Sequence, residues 1–125
     1  MVKKILVVED NEQNRVLMRQ IFTHQGYEVL EANDGLTGLE MARVHMPDLV
    51  LLDIQMPVMN GYMVIRELRN TPELKKVKVI AVTSFAMKGD REKALEAGFD
   101  EYVTKPIDTR KFPELVKELL SRVQP

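Results

Sequence analysis

The sequence predicts an α/β protein: a doubly wound sheet of five parallel strands with helices on both faces. Three observations predict it. Strand-like and helix-like segments alternate through all 125 residues. Several of the strand segments are unbroken apolar runs such as Leu49-Val50-Leu51-Leu52, which lack the polar alternation of a half-solvated strand and so read as buried on both faces. Strand followed by helix throughout implies right-handed crossovers, which bring every strand's carboxyl end to the same edge.

The first strand is Ile5-Leu6-Val7-Val8, and it ends in Glu9-Asp10. From Asn11 onward Leu17, Met18, Ile21 and Phe22 recur at helical spacing, with Gly26 as the stop. Tyr27 to Ala32 is a second strand, more polar and therefore nearer an edge. Asn33-Asp34-Gly35 is a turn, after which Leu36, Leu39, Ala42 and Met46 mark a helix closed by Pro47. The third strand runs from Pro47 to Asp53, where the carboxylate is either the first residue of a turn or a nucleophile or metal ligand at the ligand-binding edge. Beyond a loop with Pro57 and Gly61, Val64, Ile65 and Leu68 define a third helix, broken at Thr71-Pro72. Val79-Ile80-Ala81-Val82 is the fourth strand, ending at Thr83-Ser84. Lys93-Ala94-Leu95 and Ala97-Gly98 form the core and end of a short helix. Glu101 to Thr104 is the fifth strand and runs into Lys105-Pro106. The last helix starts near Asp108-Thr109 and buries Phe112, Leu115, Val116, Leu119 and Leu120, with Pro113 tolerated in or near the first turn.

Residues 1–125 are expected to form one domain, with no output domain, burying roughly two thirds of the unfolded surface. Lysine plus arginine number 18 and aspartate plus glutamate 19, a formal charge of -1. No basic field invites nucleic acid or an anionic membrane. Cysteine is absent, which removes disulfides, thiolate metal sites and thiol catalysis. Met1-Val2-Lys3-Lys4 leads into too short an apolar run for a signal peptide or a membrane span, so a cytoplasmic protein is expected.

The common strand edge gathers Glu9 and Asp10, Asp53, Thr83 and Lys105. Any one of these passes as a cap or turn residue, but together they form a constellation with chemistry in it. Crowded carboxylates repel unless a cation neutralises them. Oxygen ligands alone suit Mg²⁺, with Asp10 and Asp53 binding directly, the Gln55 backbone carbonyl as a third ligand and Glu9 acting through water. An anion completes the charge balance. A phosphoryl group on Asp53 would meet the metal, the Lys105 ammonium and the Thr83 hydroxyl, as phosphoryl transfer requires.

Four motifs in this order carry a resemblance that covers essentially the whole chain: Val7-Val8-Glu9-Asp10-Asn11; Leu52-Asp53-Ile54-Gln55-Met56-Pro57 with Gly61; Val82-Thr83; and Tyr102-Val103-Thr104-Lys105-Pro106. The sequence resembles the receiver domain of two-component response regulators, the CheY-like family. Ala86 to Glu92 and Tyr102 to Ile107 look most like DivK-type single-domain regulators and the receivers of hybrid histidine kinases. The resemblance implies the flavodoxin-like strand order 2-1-3-4-5, of which CheY is itself a standard example.

It further implies that Asp53 accepts a phosphoryl group from a phosphohistidine on a histidine kinase or histidine phosphotransfer protein. Lys105 would balance charge, Thr83 and Tyr102 would act as the switch, and the bond before Pro106 would be cis. Gln55 and Phe85 would tune hydrolysis, a bulky Phe85 changing how water approaches. The first helix, with Asn14, Arg15 and Met18, would meet the phosphodonor. The fourth helix, fifth strand and fifth helix would present the switched surface to a downstream protein. The chain is expected to be a monomer or weak dimer, and a phosphoacceptor rather than a turnover enzyme.

Competing readings are a haloacid dehalogenase-type phosphatase, disfavoured because Gln55 stands where a second acid is needed, and a flavodoxin, disfavoured because Glu9-Asp10-Asn11 replaces a hydroxyl-rich phosphate loop. A phosphorylation-independent docking module is a third. His24 and His45, read at opposite helix ends, are solvated side chains rather than ligands. Met56, Met59 and Met87, in loops, are candidates for a plastic contact surface. Lys111, Glu114, Lys117, Glu118 and Arg122 make a solvated face on the last helix.

Overall fold

A computed structural model describes residues 2–84 and 87–122. The chain runs β1 (Lys4–Val8), α1 (Glu12–His24), β2 (Glu28–Ala32), α2 (Gly35–His45), β3 (Leu49–Asp53), α3 (Gly61–Asn70), a 3-10 turn (Pro72–Leu74), β4 (Lys78–Thr83), α4 (Asp90–Ala97), β5 (Glu101–Thr104) and α5 (Lys111–Ser121). All neighbouring strands pair in parallel, in the order β2-β1-β3-β4-β5, as the family resemblance implied. No helix among the described residues is long and apolar enough to cross a membrane.

Strand alternation splits the core into two layers. Leu6, Val8, Val50, Leu52, Val79 and Ala81 point to one face and pack with Leu39, Val64, Ile65 and Leu68 from α2 and α3. Ile5, Val7, Leu49, Leu51, Ile80 and Val82 point to the other and meet Met18 and Phe22 of α1 and Phe112, Val116 and Leu119 of α5. The rings of Phe22 and Phe112 join α1 to α5 edge-to-face at 5.2 Å, a geometry that adds about 0.5–1.5 kcal/mol beyond area burial. On the first layer Arg69 clasps the β4 and β5 side. Its guanidinium donates to the Gly98 carbonyl at 2.7 and 3.0 Å, to the Val77 carbonyl at 2.6 Å and to Asp100 at 3.0 Å, while Asp100 accepts the Val79 amide at 2.8 Å.

Several sequence expectations need correction. Tyr27 precedes β2 rather than opening it, and its ring packs near Phe22 at 6.2 Å. Leu17, Leu36 and Met46 keep helical spacing but face solvent, because the apolar arc of each helix is narrower than the spacing suggested. Met46 is a left-handed C-cap at φ 49, so α2 ends before it. α5 starts at Lys111, with the Asp108 carboxylate accepting the Arg110 and Lys111 amides in place of a side-chain cap at Arg110. His24 and His45 both end their helices at the carboxyl terminus, where the helix dipole favours a cation. Met56 is buried and Met59 packs on the core, so of the three loop methionines Met87 alone is widely exposed.

The β3–α3 loop shapes the site. Asn60 caps α3 by accepting the Met63 amide, and the Gly61 amide donates back to the Ile54 carbonyl at 3.0 Å. A Cβ on Gly61 would stand 2.8 Å from the Asp53 carbonyl oxygen and 2.8 Å from the Ile54 Cα. Both are backbone atoms with no room to give. Val58, at φ 68 and fully exposed, is a β-branched residue in the left-handed region, a conformation that costs about 1–2 kcal/mol. Opposite effects follow in equilibrium urea unfolding: Gly61→Ala should lose about 1–3 kcal/mol through overpacking, and Val58→Gly should gain about 0.5–1 kcal/mol after the entropy cost of glycine.

Candidate functional site at the carboxyl edge of the sheet

Register alone assembles the site. Val8 pairs with Leu52, which sets Glu9 level with Asp53, and Asp53 pairs with Val82, which sets Thr83 one step beyond. Thr83 pairs with Thr104, so Lys105 follows at the same rim, and the Lys105 amide donates to the Thr83 carbonyl at 2.8 Å. The chain leaves β1 toward β2 and returns to β3 on its other side. The crevice between β1 and β3 is therefore the switch point where ligands collect in sheets of this kind.

Glu9 is fully buried, Asp53 is 3 % exposed and Asp10 faces solvent. One carboxylate oxygen from each lies within 4.8 Å of the others. The Lys105 Nζ sits 2.6 Å from Glu9 Oε1 and 3.7 Å from Asp53 Oδ2, so its nearer partner is Glu9, not the strand-end aspartate. The other Glu9 oxygen accepts the Asn11 amide at 3.2 Å, and Arg15 donates to the Glu9 carbonyl at 3.1 Å. The Lys105–Pro106 bond is cis, as the resemblance implied. Thr83 is fully buried and its hydroxyl donates to the Gln55 side-chain oxygen at 2.7 Å.

Tyr102 is half-buried and lines a cleft of about 160 Å³ with Thr83, Gln55, Ile54, Tyr62, Asp90 and Lys93. Its hydroxyl titrates above the ordinary tyrosine value, through burial first and then the charge of Asp90. Phe85 and Ala86 lie outside the described residues. Sequence reasoning named Asn11 only as part of the first motif and Arg15 only as facing a phosphodonor, and it missed that both hold Glu9 in place. Their signal was local: a helix beginning directly after the acidic pair presents its N-cap residue and its first turn to that pair.

The electrostatics are those of a crowded acid pair. The Asp53 carboxyl is pushed up to about 8 from 3.8, by burial first, then by hydrogen bonding to Glu9 and by the Glu9 charge; the Lys105 ammonium and the Gln55 amide pull it part of the way back. One lysine cannot neutralise the cluster. The donor set fits Mg²⁺: all the ligand atoms are hard oxygens, they are grouped within 4.8 Å of one another, and the exposed Asp10 keeps the site open to the water that this ion retains.

A stability consequence follows for the metal-free protein. The folded state holds the Asp53 proton more tightly than the unfolded chain does, so the contribution of this group to stability is fully present below about 4 and is lost as pH rises through the window from 3.8 to about 8. The slope from this group should stay below about 1.4 kcal/mol per pH unit, the limit for a single proton. Urea unfolding across this window in a chelating buffer should show the decline in the wild type and a flatter profile in Asp53→Asn.

Residues 5–117 match the response regulator receiver domain family. The polar-differentiation response regulator DivK of Brucella ovis is 44% identical over 120 residues, which are 96% of this chain and 98% of that protein. Among solved structures, the receiver domain of a sensor histidine kinase from Pseudomonas aeruginosa PAO1 has a magnesium ion coordinated in its active site cleft. It is 31% identical with a TM-score of 0.89, over 98% of this chain and 100% of that one. A CheY-like receiver domain protein from Methanospirillum hungatei JF-1 is 32% identical with a TM-score of 0.87, over 96% of this chain and 94% of the other. Fold, rim chemistry and relatives thus agree, and the chain belongs to the response regulator receiver domain family of two-component signalling.

Proposed function

We propose that Asp53 is the phosphoacceptor, taking a phosphoryl group from a phosphohistidine on a histidine kinase or histidine phosphotransfer protein. A receiver domain is a phosphoacceptor signalling module that works with such a donor and with downstream targets; the residue roles are our reading. The observation that carries it is the placement of a single nearly buried aspartate at the switch point, with Lys105 and Glu9 beside it and Thr83 one strand away.

In the transfer an Asp53 oxygen attacks phosphorus, the phosphorus–nitrogen bond breaks and its electron pair returns to the donor imidazole. Asp53 must be ionised to attack, which the crowded acid pair opposes. Asp10, Asp53 and the Gln55 backbone carbonyl would hold Mg²⁺ directly. Glu9 would reach it through water, since both its oxygens already have protein partners. When bound, Mg²⁺ supplies the positive charge that lets Asp53 ionise beside Glu9 and that offsets charge on the phosphoryl oxygens. Lys105 contributes a second fixed cation. It lies within 3.7 Å of the Asp53 carboxylate, in reach of what becomes bonded there, where charge-assisted bonds are strongest.

Thr83 would then turn its hydroxyl to the phosphoryl group, and Tyr102 would follow into the cleft it lines. The surface of α4, β5 and α5 changes as a population shift, and a near-complete shift needs about 5.5 kcal/mol of differential stabilisation. α1, with Asn14, Arg15 and Met18, would face the donor.

Incubation with acetyl phosphate and Mg²⁺ should add one phosphoryl group, read by intact mass, and the gain should vanish in Asp53→Asn and on chelation. Labelling that persists in Asp53→Asn would overturn the assignment. Lys105→Met should slow labelling by roughly 100-fold. Thr83→Ala should still be labelled but lose the phosphorylation-dependent change in the Tyr102 ring resonances.

A further inference from the structure

The loop after β3 doubles back so that Gln55, an exposed residue, reaches the end of β4. Its side-chain oxygen lies 2.7 Å from the Thr83 hydroxyl and 3.3 Å from the Ser84 amide nitrogen. A backbone N–H can only donate, so the Gln55 atom facing Ser84 is the carbonyl oxygen. The Thr83 hydroxyl, meeting that same oxygen, donates its one hydrogen to it. The Gln55 backbone amide in turn donates to Asp53 Oδ1 at 3.2 Å. A single residue therefore touches both the rim carboxylate and the buried threonine.

A hydroxyl has one hydrogen to give. While Gln55 holds it, it is not available to a phosphoryl oxygen on Asp53. We infer that Gln55 is a positioning residue that clamps Thr83 in its resting orientation, so that a phosphoryl group must outcompete the Gln55 oxygen before the threonine turns. The inference rests on the assignment of Asp53 as phosphoacceptor above. Thr83 is β-branched and fully buried, which confines its hydroxyl to a few discrete rotamers, so release is a choice between states and not a gradual tilt. A neutral hydrogen bond of this kind corresponds to roughly a 2–10-fold change in the resting-to-turned ratio. The side chain two positions past Asp53 thereby sets how readily the domain switches, separately from any effect on hydrolysis.

The test uses Gln55→Ala, Gln55→Glu, Thr83→Val and the double variant Gln55→Ala/Thr83→Val. In the metal-free protein, three-bond couplings to the Thr83 γ-methyl report its rotamer. One rotamer is expected in the wild type and in Gln55→Glu, which keeps an acceptor oxygen, and averaged couplings in Gln55→Ala. Beryllofluoride with Mg²⁺, standing in for the phosphoryl group, should bind roughly 2–10-fold tighter to Gln55→Ala than to the wild type. That gain should disappear when the same change is made in Thr83→Val. Unchanged Thr83 couplings in Gln55→Ala, or an equal affinity gain in both backgrounds, would overturn the clamp. Failure of the wild type to take up beryllofluoride or a phosphoryl group would instead count against the Asp53 assignment, and the rotamer measurement would then decide the clamp alone.

Discussion

Two carboxylates buried side by side under one ammonium are the constraint on which the rest of this structure depends. Glu9 and Asp53 are brought level by the pairing of β1 with β3, and both are removed from water. Lys105 reaches them from the end of β5, past β4 to Asp53 and past β4 and β3 to Glu9. The pair is costly as it stands, because burial and mutual repulsion both oppose ionisation of Asp53 and a single cation offsets only part of that. A fold this regular could readily have placed apolar residues there. A tight acid pair at the switch point, open on the Asp10 side, is understandable as a site that draws its stability from what it binds.

Beneath this crowded edge the scaffold is closely packed. Both faces of β3 are buried, the two core layers fix the strands' relative heights, and Arg69 ties α3 to β4 and to the approach of β5. The residues that would move in the proposed role lie at the rim. Gly61 lets α3 start almost in contact with the end of β3, and the loop so formed presents the Gln55 side chain to Thr83. In the proposed role, a small chemical change at one carboxylate would select between discrete side-chain states of this rim network.

The cleft beside Thr83 connects that choice to the outside. Tyr62, Asp90, Lys93 and Tyr102 line it from α3, α4 and β5, and Lys93 stands over the Tyr62 ring at 4.9 Å from its centroid. Of the elements that border the cleft, α4 and β5 also belong to the surface a partner would meet in the proposed role. Geometry at the acid pair and geometry at that surface are thus separated by one threonine and one tyrosine.

Much of this was legible in the chain itself. Apolar runs ending in polar residues gave the strands, and strand–helix alternation gave the parallel sheet and its functional edge, because in such a sheet direction and chemistry are linked. The motif residues Glu9, Asp10, Asp53, Thr83 and Lys105 could be collected before any coordinate was known. Pattern could not say which residues of a helical repeat face the core: Leu17, Leu36 and Met46 have the right spacing and the wrong side, since periodicity locates a stripe only within about a residue of rotation. Nor could it say that Lys105 lies nearer Glu9 than Asp53, or that Gln55 turns its side chain to Thr83. Those pairings join residues 28 to 96 positions apart, and they depend on strand register and loop path. These are set by packing in three dimensions, which linear order does not contain.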